Sequence, residues 1–124
     1  MTRRDALAEL IAKVESGDGD QGVLEASYGV AEMTGNIGRY THIVDAHHGS
    51  LDAAKALHEA VLPKWYWHSL HKNGVSLRGP WFDDRDDPEA SGYLYQDAEI
   101  TGKPARAWLL AILRALHAQE GGDT

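Results

Sequence analysis

Trp65 and Trp67 are separated by a single residue and are followed, beyond an Asn73-Gly74 pair, by Arg78. Indole rings offer flat faces on which bases and other rings stack, worth about 1–3 kcal/mol per stacked base. A guanidinium grips a phosphate through paired, charge-assisted hydrogen bonds. Ser69, Trp81, Tyr93 and Tyr95 add hydroxyls and rings to the same stretch, and Arg106 follows near the start of a helix. Free amides at such a helix start attract anions. Together these residues are a candidate site for an anionic, ring-bearing ligand or for a protein hot spot, which favours Trp, Tyr and Arg.

Whether they share a face depends on strand register. Lys64–Lys72 is rich in β-favouring aromatics, and Val75–Gly79 reads as its return strand. Asn73-Gly74 between them is the strongest short signal for a two-residue type I′ turn. That turn sets Lys72 opposite Val75, Leu70 opposite Leu77 and Ser69 opposite Arg78. One face then carries Tyr66, His68, Leu70, Val75 and Leu77 and is expected to meet the core. The other carries Trp65, Trp67, Ser69, His71, Ser76 and Arg78. The competing reading is structural, with the tryptophans packed beneath a second helical layer.

Other chemistry is less well supported by the residue pattern. His42, Asp45, His47 and His48 cluster, and a helix would bring His42 and Asp45 to one side, but no HExxH or paired-histidine spacing accompanies them. No metal and no cofactor is therefore expected. The run Asp83 to Glu89 has the composition of a calcium loop without its alternating order, so a solvated loop is expected. Neither GxSxG nor GxxxxGK[ST] occurs, and His68 and Ser69, being adjacent on a strand, point to opposite faces. The chain reads as a binding protein rather than an enzyme, with no catalytic residues assigned.

Stepping outward from the hairpin, Leu7, Leu10, Ile11 and Val14 make the apolar stripe of a first helix running to about Glu15, with Thr2 and Asp5 as a capping box. Gln21–His48 is the least legible stretch. Val23, Leu24, Tyr28 and Ala31 suggest one face of a short helix, and Tyr40–Val44 reads as strand or short helix, the latter preferred. Ser50 caps a helix whose stripe is Leu51, Ala54, Leu57, Val61 and Leu62, ended by Pro63. Pro80 and the acidic run form a loop, and Tyr93–Ile100 is a third strand. Thr101 or Gly102 caps the last helix, which has Pro104 in its first turn and a stripe of Trp108, Leu109, Ile112, Leu113 and Leu116.

The 124 residues suit one domain, which at this size buries roughly two-thirds of its unfolded surface. With no Cys there is no disulfide, thiolate nucleophile or cysteine metal site, which fits a reducing cytoplasm. The apolar run Trp108–Leu113 is too short to cross a bilayer, and the Met-Thr-Arg-Arg-Asp start does not read as a secretory signal. A net charge of −7 argues against duplex nucleic acid, whose binding depends on neutralising phosphates.

The segment Gly49-Ser50-Leu51-Asp52-Ala53-Ala54, then Trp65-Tyr66-Trp67, the Gly-marked hairpin, and Pro104-Ala105-Arg106-Ala107-Trp108-Leu109-Leu110-Ala111 resembles the phage ABA sandwich domain. The resemblance spans about 49–119. It implies a small antiparallel sheet packed with helices in an α/β (α+β) fold, and a phage accessory product acting in the host cytoplasm, and it carries over no catalytic residues. The expected organisation is one domain, 1–124, with an N-terminal helical part, 1–48, that departs from the pattern and a helix–hairpin–strand–helix core, 49–119. The expected function is counter-defence by sequestering a small nucleotide-derived signal. The alternatives are an acidic protein–protein inhibitor of a host defence complex, of the anti-CRISPR kind, or a virion assembly accessory. A homodimer or higher homo-oligomer is expected to hide any apolar face left over.

Overall fold

The computed structural model describes residues 3–17, 22–23, 25–28, 30, 39–82, 85–87, 89 and 92–121. Helix α1 (Arg3–Ser16) ends at Gly17, which takes a positive φ of 71° and returns its amide to the Val14 carbonyl. Residues 22–23, 25–28 and 30 are helical. Val23 faces the core as the sequence suggests, whereas Tyr28 is exposed; Leu24 and Ala31 lie outside the described residues, as does Thr2 of the capping box. Helices α2 (Arg39–His47) and α3 (Leu51–Val61) follow. Ser50 caps α3 as expected, its Oγ accepting the Ala53 amide at 3.1 Å.

Strands β1 (Tyr66–His71), β2 (Gly74–Phe82) and β3 (Gly92–Glu99) form an antiparallel sheet in the order β1-β2-β3. Helix α4 (Pro104–Gly121) completes the α+β fold with Pro104 as its first residue. α4 is buried from Ala105 to Ala115 apart from Arg106 and Arg114, so its apolar surface is wider than the predicted stripe. It is the central pillar. α1, α2, α3, β2 and β3 all pack on it. Among the described residues, no helix is long and apolar enough to cross a membrane.

The hairpin register differs from the predicted one. His71 pairs with Gly74, Leu70 with Val75 and Ser69 with Ser76, so Lys72 and Asn73 form the turn. Neither has a positive φ, which excludes a type I′ turn. Gly74 is glycine for a different reason: a Cβ there would lie 2.5 Å from the Ala98 carbonyl oxygen of β3. Asn73 is likewise used elsewhere. Its Oδ1 accepts the Gly102 amide at 2.8 Å and its carbonyl accepts the Ile100 amide at 2.7 Å, tying the turn to the loop before α4.

Two irregularities then set the faces. His68 is an extra residue between Trp67, opposite Leu77, and Ser69, opposite Ser76. The alternation of side chains therefore reverses across it. A second shift falls between Arg78 and Trp81, so that Gly79 and Pro80 occupy a bulge in the middle strand. Pro80 lacks a ladder donor and is tolerated in a sheet at such a place, which is why β2 continues through it where a loop was expected.

Candidate functional site

The register gathers a row of side chains on the sheet face turned away from α4. Tyr66, Arg78 and Tyr95 are successive partners across β1, β2 and β3. The Arg78 guanidinium carbon lies 5.3 Å from the Tyr66 ring centroid, close enough for cation–π attraction. The His68 ring meets the Tyr95 ring edge-on at 6.2 Å, reaching over the middle strand. Tyr66 and Tyr95 are about half exposed, at 47% and 53%. Arg78 is part-buried beneath them. Ser69, Ser76 and Asp97 form the next row on the same face. The arrangement presents two phenols and an imidazole toward solvent around a part-buried guanidinium, groups apt for stacking and for gripping an anion.

This set overlaps the sequence-predicted one only in part. Arg78, Ser69 and Tyr95 share the open face. Tyr66 and His68 were expected in the core and are exposed beside Arg78 instead. Leu70, expected to be buried opposite Leu77, faces Val75 and is 36% exposed, whereas Val75 and Leu77 are buried as predicted. The slip of the turn changes cross-strand partners by two and leaves the faces unaltered. It is the bulge at His68 that turns Tyr66 outward, while Leu70 keeps the α4 side of the sheet but lies on the outer strand, beyond the strands on which α4 packs.

The two tryptophans part company. Trp67 pairs with Leu77 on the α4 side of the sheet, yet it stands at the rim with 53% exposure. Trp65 is buried and packs over Gly79, where a Cβ would lie 2.5 Å from its Cε2. It belongs to the core and lies apart from the Arg78 face. Trp65 also lines an apolar cavity of about 280 Å³ with Leu94, Tyr95, Gln96, Ala115, Ala118 and Gln119. Trp81 pairs with Tyr93 across β2 and β3, and the side chains of both lie outside the described residues.

Arg106 serves the fold. Its Nε donates to the His47 carbonyl at 3.0 Å, placing a cation at the C-terminus of α2, where the helix dipole favours it. The cavity beside it, about 210 Å³, is lined by residues 47–49 and 102–106 and shares no residue with the Tyr66–Arg78–Tyr95 row. Arg114, also on α4, donates to the Asp97 carbonyl at 3.3 Å and pairs with Glu15 at 3.1 Å. In the histidine cluster, His47 is buried while Asp45 and His48 are exposed. Among the described residues, no three His, Cys, Asp or Glu side chains gather as metal ligands. Of the acidic run, Arg85, Asp86, Asp87 and Glu89 are exposed, and Asp83, Asp84 and Pro88 lie outside the described residues.

His58 had no place in the sequence-level reading, yet it organises the core beneath the hairpin. The Trp108 indole N–H donates to His58 Nδ1 at 3.1 Å, which leaves Nε2–H to donate to the Trp65 carbonyl at 2.7 Å. The two bonds together assign the neutral Nε2–H tautomer. A single polar residue on the apolar side of α3 was the available signal; its partners are remote in sequence and were invisible there. No protein-family model matches the chain, and no curated protein or solved structure matches it.

Proposed function

We propose that the protein binds an anionic, ring-bearing small molecule, a nucleotide-derived signal, and holds it without chemical change. The observation that carries this reading is the Tyr66–Arg78–Tyr95 row on the open sheet face, a guanidinium flanked by half-exposed rings. A base stacks on such a ring for about 1–3 kcal/mol, and a phosphate is held by paired bonds to Arg. The −7 charge opposes a long polyanion but not a ligand with a few phosphates met by one local cation. The resemblance to phage ABA sandwich domains belongs to the same proposal. It supplies the setting of a phage accessory protein in a host cytoplasm, where sequestering a defence signal would be of use.

Calorimetry against cyclic and ADP-ribose-type nucleotides tests it. Binding should weaken at least tenfold in Arg78→Ala and Tyr66→Ala variants that keep their circular dichroism, and heating the complex should release intact ligand. Release of a hydrolysed product would make the protein an enzyme. A second reading, an inhibitor that docks on a basic host protein, is favoured by the exposure of Asp86, Asp87 and Glu89. Silence across the nucleotide panel, with one specific host protein retained in a pull-down that charge reversal of those residues abolishes, would decide for it.

A further inference from the structure

We propose that the protein self-associates through β1, two copies pairing edge to edge and antiparallel about a two-fold axis so that their sheets join into one. The inference is independent of the ligand reading. β1 is an outer strand, and all six of its residues are exposed. An open edge is a template for pairing, and monomeric proteins blunt it with charges, especially Lys, with Pro, or with a bulge that twists the strand away. β1 has a bulge at His68, and it keeps Trp67 and Leu70 on one side of the edge. The sequence Tyr-Trp-His-Ser-Leu-His contains no Asp, Glu, Lys, Arg or Pro. The opposite edge, β3, carries exposed Asp97 and Glu99. In a chain of charge −7, two copies repel over much of their surface, and β1 is a stretch along which they meet without like charges.

The bulge makes this edge self-complementary. Because His68 reverses the alternation, Trp67 and Leu70 lie on the same side of the sheet although they are three residues apart. α4 packs on β2 and β3, so these two side chains overhang the rim of the core, 53% and 36% exposed. A two-fold axis between His68 and Ser69 sets Trp67 of each copy opposite Leu70 of the other, and Tyr66 opposite His71. The same patch thus meets itself, as a two-fold interface requires. The large exposed side chains of β1 are all used, and the two open faces bearing Arg78 become neighbours on one continuous sheet.

Sedimentation and light scattering over a concentration series test the proposal. The mass should rise from 13.6 kDa to about twice that value. Trp67→Lys and Leu70→Lys should each return the monomer, while Glu99→Lys on the other edge should leave the dimer intact. Arg78→Ala should also leave it intact, which separates this inference from the ligand reading. Should a Lys variant fail to fold, hydrogen exchange on the native chain gives the answer, since the outward amides of β1 should slow as concentration rises. A monomer at every concentration, a dimer that survives both Lys substitutions, or β1 exchange that ignores concentration would each overturn it.

Discussion

Replacing His58 by Leu keeps an apolar side chain of moderate size in the same space but removes both of its hydrogen-bonding nitrogens. Two buried groups then lose their partner: the Trp108 Nε1–H, which donates to His58 Nδ1 at 3.1 Å, and the Trp65 carbonyl, which accepts from Nε2 at 2.7 Å. A buried polar group stranded in this way costs about 1–3 kcal/mol, so the pair costs about 2–6 kcal/mol. Against a total stability of roughly 5–15 kcal/mol that is a large loss. Urea denaturation followed by tryptophan fluorescence measures it. The sharper test is the cycle with Trp108→Phe, which removes the indole N–H. In the His58→Leu background that second change should cost at least about 1 kcal/mol less than it does alone, because the stranded donor is gone. A His58→Leu loss under about 0.5 kcal/mol, or strictly additive losses, would refute the reasoning.

Gly79→Ala would drive a methyl to 2.5 Å from Trp65 Cε2, so it should destabilise by about 1–3 kcal/mol through overpacking and shift Trp65 emission in a fluorescence spectrum. Leu113→Ala, at a position 1% exposed on the central helix, should cost about 2–5 kcal/mol in the same denaturation assay. Glu15→Gln breaks the ion pair with Arg114, but both side chains are more than a third exposed, so the loss should stay below about 1 kcal/mol and vanish in high salt. A larger, salt-independent loss would mean that the pair anchors α1 more firmly than its exposure implies.

The parts of the fold that were legible in the sequence rest on local chemistry. The stripes of α1 and α4, that of α3 apart from Leu51, which is exposed, the Ser50 cap and the Pro63 stop each follow from residues a few positions apart. The sheet was legible in outline but not in register, because Asn73-Gly74 carries two meanings. The pair favours a tight turn locally, yet here the asparagine side chain caps a distant loop and the glycine admits a carbonyl of β3. The candidate site was misread for a different reason, the bulge at His68, which reverses the faces ahead of it and has no local signal. Arg78 was placed on the correct face with Ser69 and Ser76, while Tyr66 was assigned to the wrong one. Trp65 and Trp67 are identical residues two apart, and what buries one and exposes the other is the reach of α4 together with the Gly79 hollow. Both come from chain segments that a local pattern does not sample.

α4 is the last of the described elements to be synthesised, and it is also the one on which α1, α2, α3, β2 and β3 all pack. Its contacts span long stretches of chain: Arg114 reaches back 99 positions to Glu15, and Trp108 reaches back 50 to His58. While the ribosome extends the chain from α1 to α4, at roughly 5–20 residues per second, Leu7 and Leu10 have no pillar to bury against for roughly 5–20 s, and Leu57 and Leu77 wait a shorter time. The domain therefore cannot fold progressively as it emerges. It should form after α4 is released, and during the interval before release the nascent chain is a natural client for chaperones that hold exposed apolar segments. A stop codon ahead of Pro104 would yield a chain without a core rather than a smaller version of the protein.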